Sequence, residues 1–255
     1  MSSGTTVRMN RILGADGRAV VVAMDHGLPG MHPLGHLRDP GTLLEAVAAG
    51  GADAVLTTPG IAKRFAGSFG RLGLLLRLDG GATSIGDAPR RSSLIASVAD
   101  AARLGADGVT VMGFCGTPDE GDSLETLGAV AEACREHGLV LMAEMLPLGF
   151  GADPTVEQIA VAARIGAEMG ADLIKTKYVG PREAFRQVTD GCFAPVLVLG
   201  GSARDPRALV AEVDDALAAG ARGVAIGRNV WRSGDVRASV AALAAAVRGA
   251  AGDVR

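Results

Sequence analysis

A Lys-x-Lys pair ends a short apolar stretch, which reads Ala171-Asp-Leu-Ile-Lys-Thr-Lys-Tyr-Val-Gly180. Successive side chains of a β-strand alternate between its two faces, so Lys175 and Lys177 share one face. If that face is the interior of a closed barrel, burial and a second positive charge both favour the uncharged amine. An uncharged amine is the nucleophile that Schiff-base chemistry on a carbonyl substrate requires. The alternative is that one or both lysines extend into solvent at the strand end.

Acid–base groups end two other apolar runs of the sequence. Asp25-His26-Gly27 follows one run, and Glu144 follows another. Formation and dehydration of a carbinolamine both need proton transfer, for which a carboxylate and an imidazole are suited. In the alternative reading, Asp25 caps a loop and His26 bonds to its own backbone.

Two glycine turns predict a phosphate site. Gly200-Gly201-Ser202 follows one apolar run, and Gly227-Arg228-Asn229 follows the next. Glycine amides and the start of a short helix together suit a phosphate dianion, to which Arg228 can add a charge-assisted contact. Either turn alone could be only a tight turn, but two turns at neighbouring strand ends favour phosphate binding.

A repeat defines the elements that must position these residues. Gly-Ala-Asp or Gly-Ala-Arg recurs after a helical pattern and before an apolar strand, at Gly51, Gly105, Gly170 and Gly220. Glycine suits the left-handed position that ends a helix. The spacing allows two βα units per repeat, and therefore eight units. The predicted strands are Ala19–Met24, Ala54–Thr57, Leu74–Leu78, Gly108–Met112, Leu139–Ala143, Leu173–Lys177, Pro195–Leu199 and Gly223–Ile226.

The predicted fold is α/β, a single (βα)8 TIM barrel that spans residues 1–255 as one domain. The strands are continuously apolar, as in a parallel sheet covered by helices. Asp-Pro pairs that begin at Asp39, Asp153 and Asp205 predict helix starts, and Val236–Ala250 is the closing helix. The alternative is an open doubly wound sheet. In such a sheet the two glycine turns would not open onto one shared cavity at the strand ends, so we favour the barrel.

Composition excludes several classes of function. The net charge of −3 and the pI near 5.8 give no general attraction to nucleic acid or to an anionic membrane. No apolar run reaches the length of a membrane span, and the polar start of the chain lacks a signal-peptide core. Three cysteines without metal-ligand spacing predict reduced thiols and a cytoplasmic protein. We expect no cofactor and no metal, because His26, His32 and His36 lie in a Gly/Pro-rich loop without helical ligand spacing.

Five motifs, taken together and in order, resemble the archaeal-type class I (DhnA-like) aldolases. They are Met24-Asp-His-Gly27, Ala143-Glu-Met-Leu-Pro-Leu-Gly149, Asp172-Leu-Ile-Lys-Thr-Lys-Tyr-Val-Gly180, Val198-Leu-Gly-Gly201 and Ala225-Ile-Gly-Arg-Asn-Val230. The similarity runs from about Arg8 to Trp231. That family includes fructose-bisphosphate aldolase, 2-amino-3,7-dideoxy-D-threo-hept-6-ulosonate synthase, the autoinducer-2 thiolase and an aldolase that joins dihydroxyacetone phosphate to aspartate semialdehyde. The motifs do not choose among these members.

The resemblance implies a role for each group. Lys175 would form the Schiff base, Asp25 would assist proton transfer, and the glycine turns with Arg228 would hold the phosphate. It also implies a homo-oligomer, often a decamer, without a metal. One departure matters, because relatives that cleave fructose bisphosphate carry Tyr where this chain has Leu146, followed by Pro-Arg-Gly where it has Pro-Leu-Gly. That Tyr is the expected acid/base, and the missing Arg can alter the acceptor pocket.

The resulting prediction is a class I aldolase or transaldolase that uses a ketose-phosphate donor, with dihydroxyacetone phosphate favoured. The acceptor is an aldehyde, and aspartate semialdehyde is one candidate. Glu144 is the predicted substitute base and Tyr178 the second candidate, although its strand parity points away from Lys175. Lys177 would favour the uncharged form of Lys175 or bind an anionic group.

Three alternatives and one question remain open at this point. The chain could be an ordinary fructose-bisphosphate aldolase, a sugar-phosphate isomerase without covalent chemistry, or a catalytically degenerate barrel that binds a sugar phosphate as a sensor; the acceptor pocket is the open question. The loops 28–37, 80–91 and 113–123 should shape that pocket. Arg90 and Arg91 could bind a second phosphate or carboxylate there, but they could equally be a solvated pair.

Overall fold

The computed structural model describes residues 2–80, 83–85 and 93–249. Eight parallel strands form a closed barrel in which neighbours in the chain are neighbours in space, and the last strand pairs with the first. The prediction of a (βα)8 barrel is therefore confirmed. The barrel strands are β1 Ala19–Ala23, β2 Ala54–Thr57, β3 Gly73–Arg77, β4 Gly108–Gly113, β5 Val140–Met145, β6 Leu173–Lys177, β7 Val196–Leu199 and β8 Gly223–Ile226.

The strand bounds agree with the apolar runs of the sequence to within two residues, because burial on both faces makes each strand continuously apolar. The largest difference is in β5, which continues through Glu144 to Met145. Outside the barrel, Asp79–Gly80 and Ser93–Leu94 form a short antiparallel ribbon above β3. Its strands flank the segment that contains Arg90 and Arg91, which lie outside the described residues.

Helices follow the strands around the outside of the barrel. They are α1 Ser3–Ile12, α2 Pro40–Gly50, α3 Pro59–Arg64, α4 Val98–Arg103, α5 Glu120–His137, α6 Val156–Glu168, α7 Arg182–Gly191, α8 Pro206–Ala218, α9 Arg228–Trp231 and α10 Val236–Gly249. Single 3-10 turns occur at Gly35–Arg38 and Ala66–Ser68. In the described part of the chain, no helix has the length and apolar character that a membrane span needs.

Two of the three Asp-Pro pairs cap helices as predicted. The side chains of Asp39 and Asp205 accept hydrogen bonds from the first amides of α2 and α8, each of which begins with proline. The prediction for Asp153 was wrong. Thr155 caps α6 instead, because its hydroxyl and the side chain of Gln158 bond reciprocally to the two backbone amides in a capping box. Asp153 is thereby left free to pair with a group at the barrel mouth.

Most of the buried core lies between the barrel and its helices, and a smaller cluster fills the barrel interior. The interior cluster includes Val21, Leu56, Leu75, Met142 and Leu197, and α1 contributes Met9 and Ile12 to it. Large apolar side chains therefore fill the interior of the barrel. The polar and charged residues that end β1, β3, β5 and β6 are found where the strands reach the C-terminal mouth, so the fold concentrates them there.

Candidate active site

A cavity of about 930 Å³ opens at the C-terminal ends of the barrel strands. It brings together nearly all of the site residues predicted from the sequence. The lining includes Asp25, His26, Glu144, Lys175, Lys177, Gly200, Gly201, Ser202, Gly227 and Arg228. These residues come from five different strand ends or the loops that follow them, so their proximity depends on closure of the barrel.

Lys175 lies at the bottom of this cavity and is only 5% exposed. Its Nζ is 2.8 Å from Oε1 of Glu144, which is also buried. The sequence had suggested Lys177 as the charge that acts on Lys175. In the structure, the ionic partner of Lys175 is a carboxylate, which can take the proton that the ammonium must lose before it attacks a carbonyl.

A buried arginine that the sequence analysis missed organises the carboxylates of the site. Arg77 is 4% exposed, and all three guanidinium nitrogens are used. Nε donates to Oδ2 of Asp25 at 2.9 Å, Nη1 donates to Oδ1 of Asp79 at 3.1 Å, and Nη2 donates to Oε2 of Glu144. Asp79 also accepts a bond of 2.7 Å from the amide of Met112. The network thus joins β1, β3 and β5 to the lysine on β6.

A signal for this network was present in the sequence. Leu74-Leu-Leu-Arg-Leu-Asp79 places two charged residues, two positions apart, at the end of an otherwise apolar run. Residues two apart on a strand share a face, as in Lys175 and Lys177. The same parity argument therefore predicts that Arg77 and Asp79 point into one region of the mouth.

The two carboxylates nearest Lys175 are held in the ionised form. Burial alone would raise the pKa of Asp25, but Arg77, His26 and Lys175 lower it to about 2. Burial likewise opposes ionisation of Glu144, yet Lys175 and Arg77 leave its pKa below the ordinary value. Both groups are therefore proton acceptors near neutral pH.

His26 is a neutral imidazole at the edge of the network. Burial lowers its pKa more than the nearby carboxylate of Asp25 raises it. Its Nδ1 lies 3.3 Å from Oδ1 of Asp25, without the alignment of a hydrogen bond. The ring packs edge-on against Trp231, with 5.4 Å between ring centroids. His26 is thus placed to exchange a proton near Asp25.

Lys177 reaches the same mouth but binds the loop after β5. Its Nζ donates to the carbonyl of Ala152 at 3.0 Å and lies 2.7 Å from Oδ1 of Asp153. Leu148, Gly149 and Gly151 in this loop all have positive φ, of 62°, 84° and 78°, a conformation that is uncommon for a residue such as Leu148. Lys177 therefore anchors an irregular segment over the cavity.

Tyr178 is not brought into the cavity. Its ring packs on Phe185 of α7, with 4.8 Å between ring centroids. Burial and the nearby acidic groups Asp215 and Glu212 raise its pKa. The geometry thus gives no support to its prediction as an alternative base, because strand alternation turns the residue after Lys177 toward the helices, as its parity indicated.

The two glycine turns meet at the cavity wall opposite β4. Gly201 has φ of 59°, a conformation that favours glycine, and the side-chain amide of Asn229 donates to the carbonyls of Gly200 and Ser202 at 2.9 and 3.2 Å. Burial and the neighbouring Arg232 lower the pKa of Arg228. An anion between the turns would offset that electrostatic cost.

Arg204 is a second cation at these turns that the sequence analysis did not single out. Its Nη2 donates to the carbonyl of Gly200 at 3.2 Å, and its Nη1 pairs with Glu212. Its backbone amide donates to the side-chain oxygen of Asn229 at 2.9 Å. Arg204 therefore supports the turn after β7 and adds positive potential to it.

The wall built by β4 and β5 is largely apolar. Met112, Phe114, Leu146 and Phe150 line it, and the rings of Phe114 and Phe150 meet edge to face with centroids 5.3 Å apart. Leu146 occupies the position where the resemblance led us to look for Tyr. A leucine side chain cannot transfer a proton, so this position of the wall offers no acid or base.

The histidines of the first loop are not gathered around Asp25. His36 bonds through Nε2 to the carbonyl of Ser233 at 3.1 Å, whereas His32 lines the cavity. Within residues 2–80, 83–85 and 93–249, no three His, Cys, Asp or Glu side chains are arranged to hold a metal ion.

The sequence itself decides the family. Residues 19–233 match the pattern of the DeoC/LacD family aldolases. The chain belongs to the DeoC/LacD aldolase family. The function is accordingly of the aldolase type, which makes or breaks carbon–carbon bonds, and its substrates are small molecules.

Relatives of known name agree with membership of the DeoC/LacD family. The chain is 37% identical to 2-amino-3,7-dideoxy-D-threo-hept-6-ulosonate synthase 1 of Archaeoglobus fulgidus, over 90% of this chain and 85% of the relative. It is 34% identical to 2-amino-4,5-dihydroxy-6-oxo-7-(phosphonooxy)heptanoate synthase of Streptomyces griseus, with the same two coverages.

A solved structure connects the DeoC/LacD fold with Schiff-base chemistry. An archaeal fructose-1,6-bisphosphate aldolase, with its catalytic Lys covalently bound to the carbinolamine intermediate, superposes with a TM-score of 0.85. The two chains are 30% identical, and the match covers 95% of this chain and 99% of that one. Schiff-base formation by a lysine is therefore the chemistry of this aldolase fold.

Proposed function

We propose that Lys175 forms a Schiff base with a ketose-phosphate donor and that the enzyme joins this donor to an aldehyde. The donor that we favour is dihydroxyacetone phosphate. One observation carries the proposal. Lys175, buried at a strand end, shares a cavity with two glycine turns and Arg228, which suit a phosphate. A triose phosphate has a ketone and a phosphate at the two ends of a short chain, which is what this pairing would bind.

In the first half-reaction, Lys175 passes a proton to Glu144 and its free electron pair attacks the C2 carbonyl. The nitrogen gives up a proton and the carbonyl oxygen takes one up, which gives a neutral carbinolamine. Glu144 then returns its proton to the carbinolamine hydroxyl, water leaves as the lone pair of nitrogen forms the iminium, and the Glu144 carboxylate is restored. The 2.8 Å between Nζ and Oε1 permits direct proton transfer without an intervening water.

In the second half-reaction, the iminium accepts the electron pair of a neighbouring C–H or C–C bond and becomes an enamine. Glu144 is the base that we assign to the C–H proton, because it is ionised and lies beside the nitrogen. The enamine carbon then adds to the aldehyde, whose oxygen takes a proton from the Asp25–His26 side of the cavity. Water finally releases the product. If the enamine forms instead by cleavage of a C–C bond in a longer ketose phosphate, the enzyme is a transaldolase.

The phosphate of the donor would accept hydrogen bonds from backbone amides of the two glycine turns, at Gly200, Gly201, Ser202 and Gly227. The guanidinium of Arg228 would add a positive charge. The acceptor is an aldehyde. The names of the heptulosonate and heptanoate synthases support an amino-acid-derived aldehyde such as aspartate semialdehyde.

Fructose-bisphosphate aldolase is the second candidate function. The likeness to the archaeal enzyme favours it, since the match spans nearly the whole of both chains. Leu146 in the place expected for Tyr argues against it, because Glu144 would then have to serve as the acid or base at C–C bond cleavage. Comparison of fructose bisphosphate cleavage with aldol addition to aspartate semialdehyde distinguishes the two.

Borohydride trapping tests the proposal. Incubation with dihydroxyacetone phosphate and borohydride should leave one reduced adduct, on the peptide that contains Lys175. The Lys175→Met variant should form none, and the matched Lys177→Met variant should still form it. Absence of an adduct in the wild-type protein would reject covalent catalysis and leave a non-covalent isomerase or a binding protein.

We also propose that the chain acts in the cytoplasm as one domain over residues 1–255 and assembles as a homo-oligomer. The family resemblance supports an assembly of up to ten copies. Sedimentation velocity at several protein concentrations measures its size, and a monomer at all concentrations would reject the assembly.

A further inference from the structure

We propose that Arg77 is a positioning residue, which holds the Asp25 and Glu144 carboxylates in fixed places around the Schiff-base lysine. This inference rests on the proposed function and goes beyond it, because Arg77 takes no part in the steps described above. Its guanidinium is the one group in the described network that contacts both carboxylates.

The planar fork of arginine decides which oxygen of Glu144 faces the lysine. Nη2 of Arg77 occupies Oε2, so Oε1 is left to contact Nζ of Lys175. A rotation of the carboxylate would break both contacts at once. Arg77 thereby keeps one lone pair of Glu144 directed at the nitrogen where the substrate bond must form.

The same guanidinium is itself fixed from the side away from the lysine. Asp79 accepts from Nη1 through Oδ1, while its Oδ2 accepts from the backbone amide of Met112 on β4. Asp79 is therefore tied to a barrel strand, and through it the position of Arg77 depends on the sheet rather than on a loop. Because Arg77 is fixed to the sheet, it can hold the carboxylates of Asp25 and Glu144 at positions that the barrel determines.

Charge adds a second consequence. Three carboxylates, those of Asp25, Asp79 and Glu144, share two cationic side chains, Arg77 and Lys175, with the neutral His26 beside them. Removal of Arg77 would take away the cation that contacts both Asp25 and Glu144. Since Arg77 lowers the pKa of both Asp25 and Glu144, each would then take up a proton at a higher pH.

The experiment measures exchange of the donor C–H with deuterated solvent as a function of pH, for the wild type, Arg77→Met and Arg77→Lys. In Arg77→Met, the acid limb of the profile should move up by about 1 to 3 pH units, since an adjacent cation shifts a carboxylate by that much. In Arg77→Lys, the charge remains but one amine cannot contact three carboxylates. The maximal rate should then fall roughly 10- to 100-fold, with a smaller shift of the limb. Arg71→Met, at an exposed arginine that bonds to the carbonyl of Ala48, is the matched control.

Three outcomes would overturn the inference. They are an unmoved acid limb in a folded Arg77→Met protein, wild-type kinetics in Arg77→Lys, and a raised donor KM with unchanged kcat, which would assign Arg77 to substrate binding. If Arg77→Met does not fold, Arg77→Lys decides alone. Borohydride trapping separates the two proposals. If the wild-type protein traps no donor, the proposed function is rejected. If the wild-type protein traps the donor but the Arg77 variants keep the wild-type pH profile of exchange, only the role of Arg77 is rejected.

Discussion

Glu144 and Lys175 are register partners on the neighbouring strands β5 and β6, and their side chains form an ion pair of 2.8 Å at the barrel mouth. Parallel strands place register partners side by side, so the carboxylate and the amine point in the same direction. A carboxylate and an amine are therefore adjacent without any contribution from a loop.

Replacement of Glu144 by Gln should slow C–H exchange of the donor by about a hundredfold or more, which is the usual contribution of a general base. The amide keeps the size of the side chain but cannot accept the proton. Isotope exchange followed by NMR measures the rate. Glu168→Gln, at an exposed residue paired with Arg164 on α6, is the control. An unchanged exchange rate in Glu144→Gln would exclude Glu144 as the base.

Replacement of Arg228 by Met should raise the KM for dihydroxyacetone phosphate by roughly 10- to 100-fold, as expected for loss of one charge-assisted contact. The kcat should change much less, because we propose that Arg228 binds the phosphate end of the donor, away from the reacting carbonyl. Unphosphorylated dihydroxyacetone should be used equally well by both proteins. Arg186→Met, at an exposed arginine that bonds to the carbonyl of Ala218, should leave both constants unaltered. Equal affinity of the wild type and Arg228→Met for the phosphorylated donor would contradict the site.

Replacement of Lys177 by Met should loosen the loop after β5, since Lys177 binds Ala152 and Asp153 there. Hydrogen exchange should become faster in peptides that cover residues 146–154. Activity should fall by less than about tenfold, because the change affects a loop beside the cavity and leaves Lys175 in place. Asp153→Asn should give a weaker form of the same result. Loss of the borohydride adduct in Lys177→Met would show instead that Lys177 takes part in covalent chemistry.

Replacement of His26 by Asn should flatten the dependence of stability on pH. The pKa of His26 is lowered in the folded protein, so below the ordinary value of 6.5 the unfolded chain binds the proton more readily. The stability that His26 contributes is therefore complete above that pH and is lost as the pH falls. Urea unfolding at about pH 7.5 and about pH 5.5 should show a larger loss in the wild type than in His26→Asn. Equal losses would mean that His26 titrates alike in both states.

Replacement of Gly227 by Ala should destabilise the protein by about 1–3 kcal/mol, which is typical of an overpacked site. A Cβ there would lie 2.3 Å from Cε1 of His26 and 2.7 Å from the carbonyl oxygen of Ala23. Gly234→Ala is the matched control, because a Cβ at that exposed position meets no atom within 4 Å. Equilibrium unfolding compares the two. A Gly227→Ala protein as stable as the control would show that the histidine ring moves aside freely.

The sequence was sufficient to predict the barrel and most of the candidate site. Short apolar strands and the glycine repeats are local signals, and each arises because a buried parallel strand must be apolar on both faces. Given the barrel, strand ends are also known, so Asp25, Glu144, Lys175 and the glycine turns could be assigned to one mouth. The start of α6 was less predictable, because Asp153-Pro154 and Thr155 both suit a helix start and only the capping box distinguishes them.

The pairing of charges was decided by the tertiary structure alone. Sequence spacing put Lys177 closest to Lys175, yet Lys177 turns to Asp153, while Glu144 and Arg77 come from strands far away in the chain. Which groups meet depends on the register between strands and on how far each side chain reaches across the barrel. Neither quantity is local, so the ion-pair network around Lys175 followed only from closure of the sheet.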